Sequence, residues 1–471
     1  MELLAPAGGM EQLRAAVAFG ADAVYLAAER FGMRARAANF RMDEIPAAVA
    51  FAHEHGVKVH VTCNILMHPD DIDGLPAFFR ALDAAGVDAF IIGDLGAFAV
   101  AGEVSPRVER HVSTQASVAN AAAARVWHSL GASRVVCARE MSLADIARLR
   151  QEAPPDLEIE AFAHGAMCMA VSGRCLISSY LTGRSGNKGH CTQPCRWSYQ
   201  LEEEKRPGEF FPIEEDDRGT FIMNAKDLNM LAHLRALADA GVDSIKIEGR
   251  NKKAFYVATV VGAYRRVLDG EPPEAVADEL LAVSHRPYGT GFYFSEAEQA
   301  TAYDGYEQET MHVADVVASS PCHPERSAQR EVEVEGFPDD PQYLYLLCRN
   351  RFAEGDELET LVPHEPSRRL IVRDLHWLNT FGPDNHDEDA LSRAAATDWE
   401  PAAAANRSCN LYRILVENAA LRASDGSASA ALSVSDKAVC DESAPFAIPE
   451  GSFLRKRTFR RSARHEDKEG L

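Results

Sequence analysis

Short apolar runs alternate with amphipathic stretches up to about residue 270 of the chain. The runs have the length of buried strands, and the stretches between them carry apolar residues three and four positions apart, as one face of a helix does. Strands that alternate with helices in this way favour a parallel sheet covered by helices. The predicted strands are 2–6, 23–27, 57–64, 89–94, 108–114, 134–138, 157–164, 221–224 and 244–248, and the clearest predicted helices are 10–19, 45–55 and 75–85.

The junctions between these elements repeat. The phrases GADAVYL, GVDAFII, GASRVVC and GVDSIKI each place a glycine where a helix ends, and a buried strand follows. Nine strands are one more than a closed eight-stranded barrel holds, so we assign the extra strand, 221–224, to a hairpin. The acidic stretch 201–218 is predicted to be an exposed hairpin loop. The sequence therefore predicts an α/β fold, with a (β/α)8 TIM-type barrel as the first choice and a doubly wound open sheet as the second.

From about residue 313 the pattern changes to strict alternation, which is typical of strands with one buried face. Because 471 residues exceed what one hydrophobic core usually supports, we expect more than one domain. We predict the barrel over 1–300, a small antiparallel β domain over 301–375, and an insertion-rich, partly flexible region over 376–471 that completes the β domain. The alternating segments are VEVE near Val332, YLYLLCRN from Tyr343, DELETLV from Asp356 and RRLIVRDL from Arg368.

Composition indicates a globular protein, with 46% hydrophobic and 25% charged residues. The N-terminus lacks a basic segment followed by an apolar one, and no apolar stretch approaches the roughly 20 residues that cross a bilayer. We therefore expect a cytoplasmic protein, where clustered cysteines indicate metal or redox chemistry more than disulfides. The net charge of −22 argues against indiscriminate nucleic-acid binding.

Four of the ten cysteines lie close together, in the pattern C-x(6)-C-x(15)-C-x(3)-C. They are Cys168, Cys175, Cys191 and Cys195, in a segment, 164–197, that follows a predicted barrel strand and so lies at the mouth where barrel enzymes hold their sites. Four thiolates can bind zinc or a [4Fe–4S] cluster. Zinc sites usually use two short C-x(2–4)-C knuckles, which this spacing does not form. The spacing therefore favours iron–sulfur, with zinc and no metal as the open alternatives.

The same segment resembles the collagenase-like peptidase family U32. The family motif E-x-F-x-x-G-[SA]-[LIVM]-C-x(6)-C-x-[LIVM]-S is matched at every defined position between Glu160 and Ser178. The phrases LAPAG, NAKDL and IKIEGR agree as well. Downstream, CRNRFAEGDELETLVP resembles the small β domain of one branch of the family, the prephenate-dependent tRNA uridine hydroxylases.

The resemblance implies an activity and its ligands. Several branches of the family resemble oxygen-independent hydroxylases with a [4Fe–4S] cluster on four cysteines of this segment, and Cys191 and Cys195 match the G-x-C-x(3)-C-R-W pattern of the tRNA branch. The implied function is formation of 5-hydroxyuridine at the wobble position of tRNA, with prephenate as co-substrate. Related hydroxylases of ribosomal RNA or of a quinone precursor, a peptidase, and a zinc-stabilised RNA-binding protein are the alternatives.

The residues themselves support proteolysis less well. A serine or cysteine protease needs a nucleophile, a base beside it and an oxyanion hole. The sequence has no G-x-S-x-G or H-E-x-x-H motif. His164 could act as a base towards Cys168, but that pairing leaves three nearby thiols unexplained.

Polar residues at the carboxyl ends of the strands are the candidates for catalysis. The K-I-E-G-R alternation places three charged side chains on one face of a strand, where they must be paired or used. Arginine side chains can bind the carboxylates of prephenate in bidentate fashion, which suits Arg139 and Arg250. Asp227 is instead predicted to be the N-cap of a helix. The candidate catalytic residues are Arg139, Glu140, His164, Lys246, Glu248 and Arg250.

A local basic surface is a candidate for RNA contact, because residues 161–200 contain no Asp or Glu. Exclusion of acidic side chains from the neighbourhood of a thiolate cluster explains the same composition almost equally well. Basic side chains could bind phosphates and aromatic ones could stack on an unpaired base, although simple solvation is the common role of such residues. These candidates are Arg184, Lys188, Arg196, Lys252, Lys253, Trp197 and Tyr180.

Overall fold

The computed structural model describes residues 1–33, 39–168, 175, 177–194, 215–216, 219–220, 225–295, 306–319, 343–378, 399–418 and 448–458. The chain divides into two compact units, Met1–Gln308 and Glu309–Leu471. Among the helices in the described ranges, none is both long and apolar enough to cross a membrane.

Strands and helices alternate along the first unit. Its strands are β1 (Glu2–Pro6), β2 (Ala23–Leu26), β3 (Lys58–Cys63), β4 (Ala89–Ile92), β5 (Glu109–Val112), β6 (Arg134–Val136), β7 (Glu158–Ala166), β8 (Glu215–Asp216), β9 (Gly219–Thr220), β10 (Asp227–Asn229), β11 (Ser244–Ile247) and β12 (Tyr288–Gly289). Its helices are α1 (Met10–Ala18), α2 (Ile45–Glu54), α3 (Pro69–Ile72), α4 (Leu75–Ala84), α5 (Leu95–Val104), α6 (Ala121–Ser129), α7 (Leu143–Glu152), α8 (Ile177–Thr182), α9 (Leu234–Asp239), α10 (Ala254–Leu268) and α11 (Pro273–Val276). Short 3-10 turns lie at Thr114–Ala116, Gly186–Lys188, Leu231–His233 and Ala277–Ala282.

Eight parallel strands, β1 to β7 and β11, form a closed barrel. Closure comes from β11, which pairs with β1 on one side and with β7 on the other, so that Ile245 lies opposite both Leu3 and Ala161. The predicted TIM-type barrel is confirmed, and the alternative of an open doubly wound sheet is wrong. The predicted strand at 221–224 and most of the predicted loop at 201–218 lie outside the described residues.

The apolar pattern explains the packing of the barrel. Every residue of β2 and β4 is buried, because one face of each strand fills the barrel interior and the other faces the surrounding helices. In α4, Leu75, Phe78, Phe79 and Leu82 are buried at helical spacing, which turns one stripe of the helix towards the sheet.

Strand β10 extends the sheet beyond the barrel and corrects one prediction. It pairs antiparallel with the end of β7 and parallel with β12. Asp227 therefore lies in a strand and does not cap a helix. Its carboxylate accepts hydrogen bonds from Arg286 through Nε (2.9 Å), Nη2 (2.7 Å) and the backbone N–H (3.1 Å). Arg286, which is distant in sequence, neutralises the Asp227 carboxylate, a group that would otherwise suit a helix N-terminus.

The second unit is an antiparallel β structure. Pairing of β16 with both β21 and β17 closes six strands into a ring, in the order β16-β21-β13-β14-β20-β17, and β18 extends it from β17. Alternating side chains such as Leu344, Leu346 and Cys348 fill its core. The antiparallel β region is confirmed, whereas the segment near Val332 lies outside the described residues. The strands are β13 (Thr310–Ser319), β14 (Tyr343–Cys348), β15 (Phe352–Ala353), β16 (Glu357–Leu361), β17 (Arg369–Leu378), β18 (Trp399–Pro401), β19 (Ala404–Ala405), β20 (Leu411–Asn418) and β21 (Phe453–Arg457).

Candidate active site

A cavity of about 190 Å³ lies at the carboxyl ends of the barrel strands. Active sites of barrel enzymes lie at this end, because the loops that follow the strands meet there. The described lining combines clustered cysteines with most of the predicted catalytic residues. It includes Cys168, Cys175, Cys191, Arg139, Glu140, Lys246, Glu248 and Arg250. Cys195 lies outside the described residues, and His164 is not among the described residues that line the cavity.

Cys175 is held by the side chain of Asn187. The backbone N–H of Cys175 donates to Asn187 Oδ1 at 3.2 Å, and Asn187 Nδ2 donates to the Cys175 carbonyl oxygen at 2.9 Å. Two contacts attach the loop that carries Asn187 to the barrel. The Asn187 carbonyl oxygen accepts a hydrogen bond from the Leu66 N–H at 2.7 Å, and Lys188 pairs with Asp71 at 3.1 Å. Asn187 therefore fixes Cys175 relative to the strand ends, a role that the spacing of the cysteines does not reveal.

Cys191 is positioned through the last residue of the motif, Ser178. Ser178 Oγ accepts from the Thr192 N–H at 3.1 Å and donates to the Arg184 carbonyl oxygen at 2.6 Å. These bonds tie helix α8 to the loop on which Cys191 lies. The N–H of Gln193 donates to Cys191 Sγ at 3.3 Å, and contacts of this kind tune the sulfur ligands of iron–sulfur clusters.

The cysteine sulfurs on this cavity are the type of ligand that a thiolate-bound metal group requires. Cys168 is exposed, Cys175 and Cys191 are half-buried, and all three are free thiols. Within the described ranges, however, no three His, Cys, Asp or Glu side chains lie close enough together to hold an ion. The three described thiols share one cavity without meeting at ligand distance, and the fourth predicted ligand, Cys195, is outside the described ranges.

A buried chain of charges lies beneath the cavity. Lys246 Nζ lies 2.8 Å from Glu160 Oε1, and Arg134 Nη1 lies 3.1 Å from the other oxygen of Glu160. The Arg134 guanidinium also pairs with Glu2 at 2.6 Å and with Glu158 at 2.7 Å. Burial opposes ionisation of Glu160, but Lys246 and Arg134 outweigh it and hold the pKa of the carboxyl below its usual value. Lys246 is therefore ion-paired and also lines the cavity, and a catalytic role for it stays a prediction.

The two predicted carboxylate-binding arginines lie on the cavity wall. The Arg139 guanidinium carbon lies 3.7 Å from the centre of the Phe162 ring, and its Nη1 donates to the Ala166 carbonyl oxygen at 2.7 Å. Arg250 donates to the carbonyl oxygen of Met33. These contacts orient both guanidinium groups, which is what recognition of a carboxylate requires.

The glycine of the motif, Gly165, allows β7 and the end of β11 to approach closely. Its φ is +104°, and a Cβ at this position would lie 2.6 Å from the carbonyl oxygen of Glu248. Any larger residue would therefore push apart the strand ends that carry Cys168 and Lys246.

His164 lies in the core of the first unit. Its ring packs against those of Tyr264, Tyr288 and Tyr256, with centroids 5.5, 5.4 and 6.2 Å away. Burial lowers the pKa of His164 to about 3, so the ring is neutral near pH 7. A catalytic role for His164 stays a prediction.

The predicted RNA-contacting residues are partly engaged. Lys188 is paired with Asp71, and Lys252 donates to the Ser284 carbonyl oxygen at 3.1 Å. Lys253 is exposed. Arg196, Trp197 and the side chain of Tyr180 lie outside the described residues.

Known proteins resemble this chain over most of its length. The tRNA hydroxylation protein P1 of Bacillus subtilis is 38% identical over 396 residues, which cover 82% of this chain and 88% of that protein. The tRNA hydroxylation protein P of Escherichia coli is 33% identical over 408 residues, with 77% and 86% covered. A 23S rRNA 5-hydroxycytidine synthase of Escherichia coli is 39% identical over 306 residues, with 65% and 44% covered. The model of Peptidase family U32 matches residues 8–302. The chain therefore belongs to peptidase family U32.

Proposed function

We propose that this protein is an iron–sulfur tRNA hydroxylase that forms 5-hydroxyuridine at the wobble position and uses prephenate as co-substrate. The observation that carries the proposal is a single cavity at the barrel mouth, on which Cys168, Cys175 and Cys191 lie together with Arg139 and Arg250. Relatives named as tRNA hydroxylation proteins support the choice of RNA. The reducing conditions that such thiols need make the cytoplasm the proposed location.

The cysteines would hold the cluster, with Cys195 as the fourth ligand. A bound [4Fe–4S] cluster would supply the electron-transfer chemistry that hydroxylation of a base requires. The arginines would bind the two carboxylates of prephenate, a task for which their planar, bidentate geometry is suited. The Lys246 ammonium, held in place by Glu160, would add a positive charge to the cavity wall.

A peptidase is the second candidate, because the matching family model carries that description. The cavity itself argues against a cysteine protease. A thiolate nucleophile needs a base within hydrogen-bond reach, and the described residues that line the cavity include no histidine.

Nucleoside analysis of tRNA tests the proposal. A strain that lacks the gene would be complemented with the wild-type protein, with Cys175→Ser, or with Cys409→Ser as a matched control from the second unit. We expect 5-hydroxyuridine from the wild type and from Cys409→Ser, and none from Cys175→Ser. The iron and acid-labile sulfide contents of the anaerobically purified Cys175→Ser protein should both fall below those of the wild type. Unchanged tRNA together with altered ribosomal RNA nucleosides would redirect the activity to ribosomal RNA, and peptide cleavage that survives Cys175→Ser would refute the cluster enzyme.

A further inference from the structure

A second cavity, of about 210 Å³, lies beside the first in the barrel unit. Met167 lines both cavities and directly precedes Cys168, so the two are neighbours across one side chain. The described lining of the second cavity consists of Met167, Ala225, Lys226, Gly289, Thr290, Gly291 and Ser295. The proposed hydroxylation chemistry uses none of these residues.

The lining has the chemistry of an anion site. Lys226 is the one charged side chain among the described lining residues, and no carboxylate is among them. Thr290 and Ser295 add hydroxyl groups, and residues 289–291 bring main chain with little side chain to the wall. A cation, hydroxyl donors and exposed backbone are the groups from which proteins build phosphate sites.

The two walls of this cavity are fixed to each other. Strands β10 and β12 pair in parallel, with Asp227 opposite Tyr288, and the buried Asp227–Arg286 ion pair locks the segments that lead into them. Lys226 immediately precedes β10, Gly289 ends β12, and Thr290 and Gly291 follow it. Paired strands therefore anchor the segments that carry Lys226 and Gly289, and such support favours a site with defined geometry.

The glycines bring the β12 loop close to its neighbours. A Cβ on Gly289 would lie 3.2 Å from Lys226 Cδ, so the loop packs directly on the lysine stem. Gly291 has a φ of +58°, and a Cβ there would lie 3.4 Å from Met167 Cε. The β12 loop therefore packs on the aliphatic stem of Lys226, and Met167 lies between the two cavities.

We propose that the second cavity binds a phosphodiester group of the RNA whose base enters the first cavity. The inference rests on the proposed function, because it takes RNA as the substrate. An enzyme that acts on a single base must also hold the backbone beside that base, and phosphate contacts supply this register. A co-substrate carboxylate shares the anionic chemistry, but the proposed function assigns that group to Arg139 and Arg250, which line the first cavity.

The salt dependence of tRNA binding tests this site. Dissociation constants of purified tRNA would be measured between about 50 and 200 mM salt for the wild type, Lys226→Ala, Lys226→Arg and Thr290→Val. Loss of one phosphate contact lowers the slope of log affinity against log salt by about 0.7 to 0.9. We expect the salt slope to fall by this amount in Lys226→Ala and to stay near the wild-type value in Lys226→Arg. Thr290→Val should bind tRNA more weakly than the wild type. The matched control is Lys58→Ala, which removes the same charge at the opposite end of the barrel.

Two outcomes would overturn the assignment. One is a salt slope in Lys226→Ala equal to that of Lys58→Ala. The other is a hydroxylation assay in which Lys226→Ala raises the KM for prephenate and leaves the KM for tRNA unchanged, which would make the site a carboxylate site. Failure of the proposed function looks different, because wild-type protein would then make no hydroxylated nucleoside, whereas the binding slopes would still report on Lys226.

Discussion

Replacement of Glu160 by glutamine should destabilise the barrel through the charges it leaves behind. Glu160 is fully buried, and its two oxygens pair with Lys246 and with Arg134. Glutamine keeps the shape and one acceptor oxygen but removes the negative charge. Arg134 retains Glu2 and Glu158, whereas Lys246 loses the one carboxylate that pairs with it among the described residues.

The expected loss of folding stability follows from this difference between Arg134 and Lys246. Removal of one partner from a buried ion pair costs about 3–5 kcal/mol. Because Arg134 stays compensated and glutamine still accepts a hydrogen bond, we expect the lower end, about 3 kcal/mol. Since 1.4 kcal/mol is a factor of ten, amides of β7 and β11 should exchange with solvent roughly 100-fold faster.

Hydrogen exchange followed by mass spectrometry measures this effect on peptides from β7 and β11. The matched control is Glu158→Gln on the same strand. The half-exposed side chain of Glu158 also pairs with Arg134, so its replacement should cost less than about 1 kcal/mol of stability. The double variant Glu160→Gln/Lys246→Met should recover most of the protection, because it removes the unpaired ammonium. Wild-type protection in the single variant, or no recovery in the double variant, would refute this account.

Three further predictions concern the site and its support. With Cys175 as a ligand of the proposed cluster, Asn187→Ala should lower the iron content of anaerobically purified protein although every cysteine is retained, because Asn187 makes two hydrogen bonds to the Cys175 backbone; iron equal to the wild type would contradict that role. Gly165→Ala should destabilise the fold by at least about 1 kcal/mol and abolish tRNA modification, because its Cβ would meet the Glu248 carbonyl; thermal melting and nucleoside analysis measure the two effects. His164 has a folded-state pKa of about 3 against about 6.5 when unfolded. The unfolded state therefore binds one more proton between these values, and stability is lost as the pH falls from about 6.5 towards 3, by up to about 1.4 kcal/mol per unit. In His164→Gln the melting temperature should depend less steeply on pH in that window, and an identical dependence would count against burial of the neutral ring.

The barrel could be predicted because its strands leave a continuous signal. Strands buried on both faces, such as AVYL in β2 and AFII in β4, appear as uninterrupted apolar runs between helical patterns. Strand β10 leaves no such signal, because Asp227-Leu228-Asn229 is short and largely polar. The sequence DLNMLAHL instead has an N-capping residue followed by apolar residues at helical spacing. The end of β7 and the side chain of Arg286, both distant in sequence, override that local preference.

The location of the cavity was predictable from the sequence, but the pairings around it were not. The cysteine segment follows a predicted barrel strand, which placed it at the barrel mouth, and the alternation in K-I-E-G-R indicated that Lys246 must be paired or used. Its partner, Glu160, is 86 positions away and becomes a neighbour only when β11 pairs with β7. The two bonds from Asn187 to Cys175 depend likewise on how the loop folds back, which no periodicity encodes.

These placements give a physical reason for most of the motif that identifies the family. Glu160 neutralises the buried cations, Gly165 permits the close approach to Glu248, and Ser178 ties helix α8 to the loop of Cys191. Glu160 and Gly165 hold β7 against β11, Ser178 holds the loop of Cys191, and Cys168 and Cys175 line the cavity. The motif thus specifies a scaffold and its thiols as one unit. In the proposed cluster enzyme, a change at a non-cysteine position such as Gly165 should therefore impair iron binding as severely as loss of a thiol, since ligands held loosely no longer converge on one site.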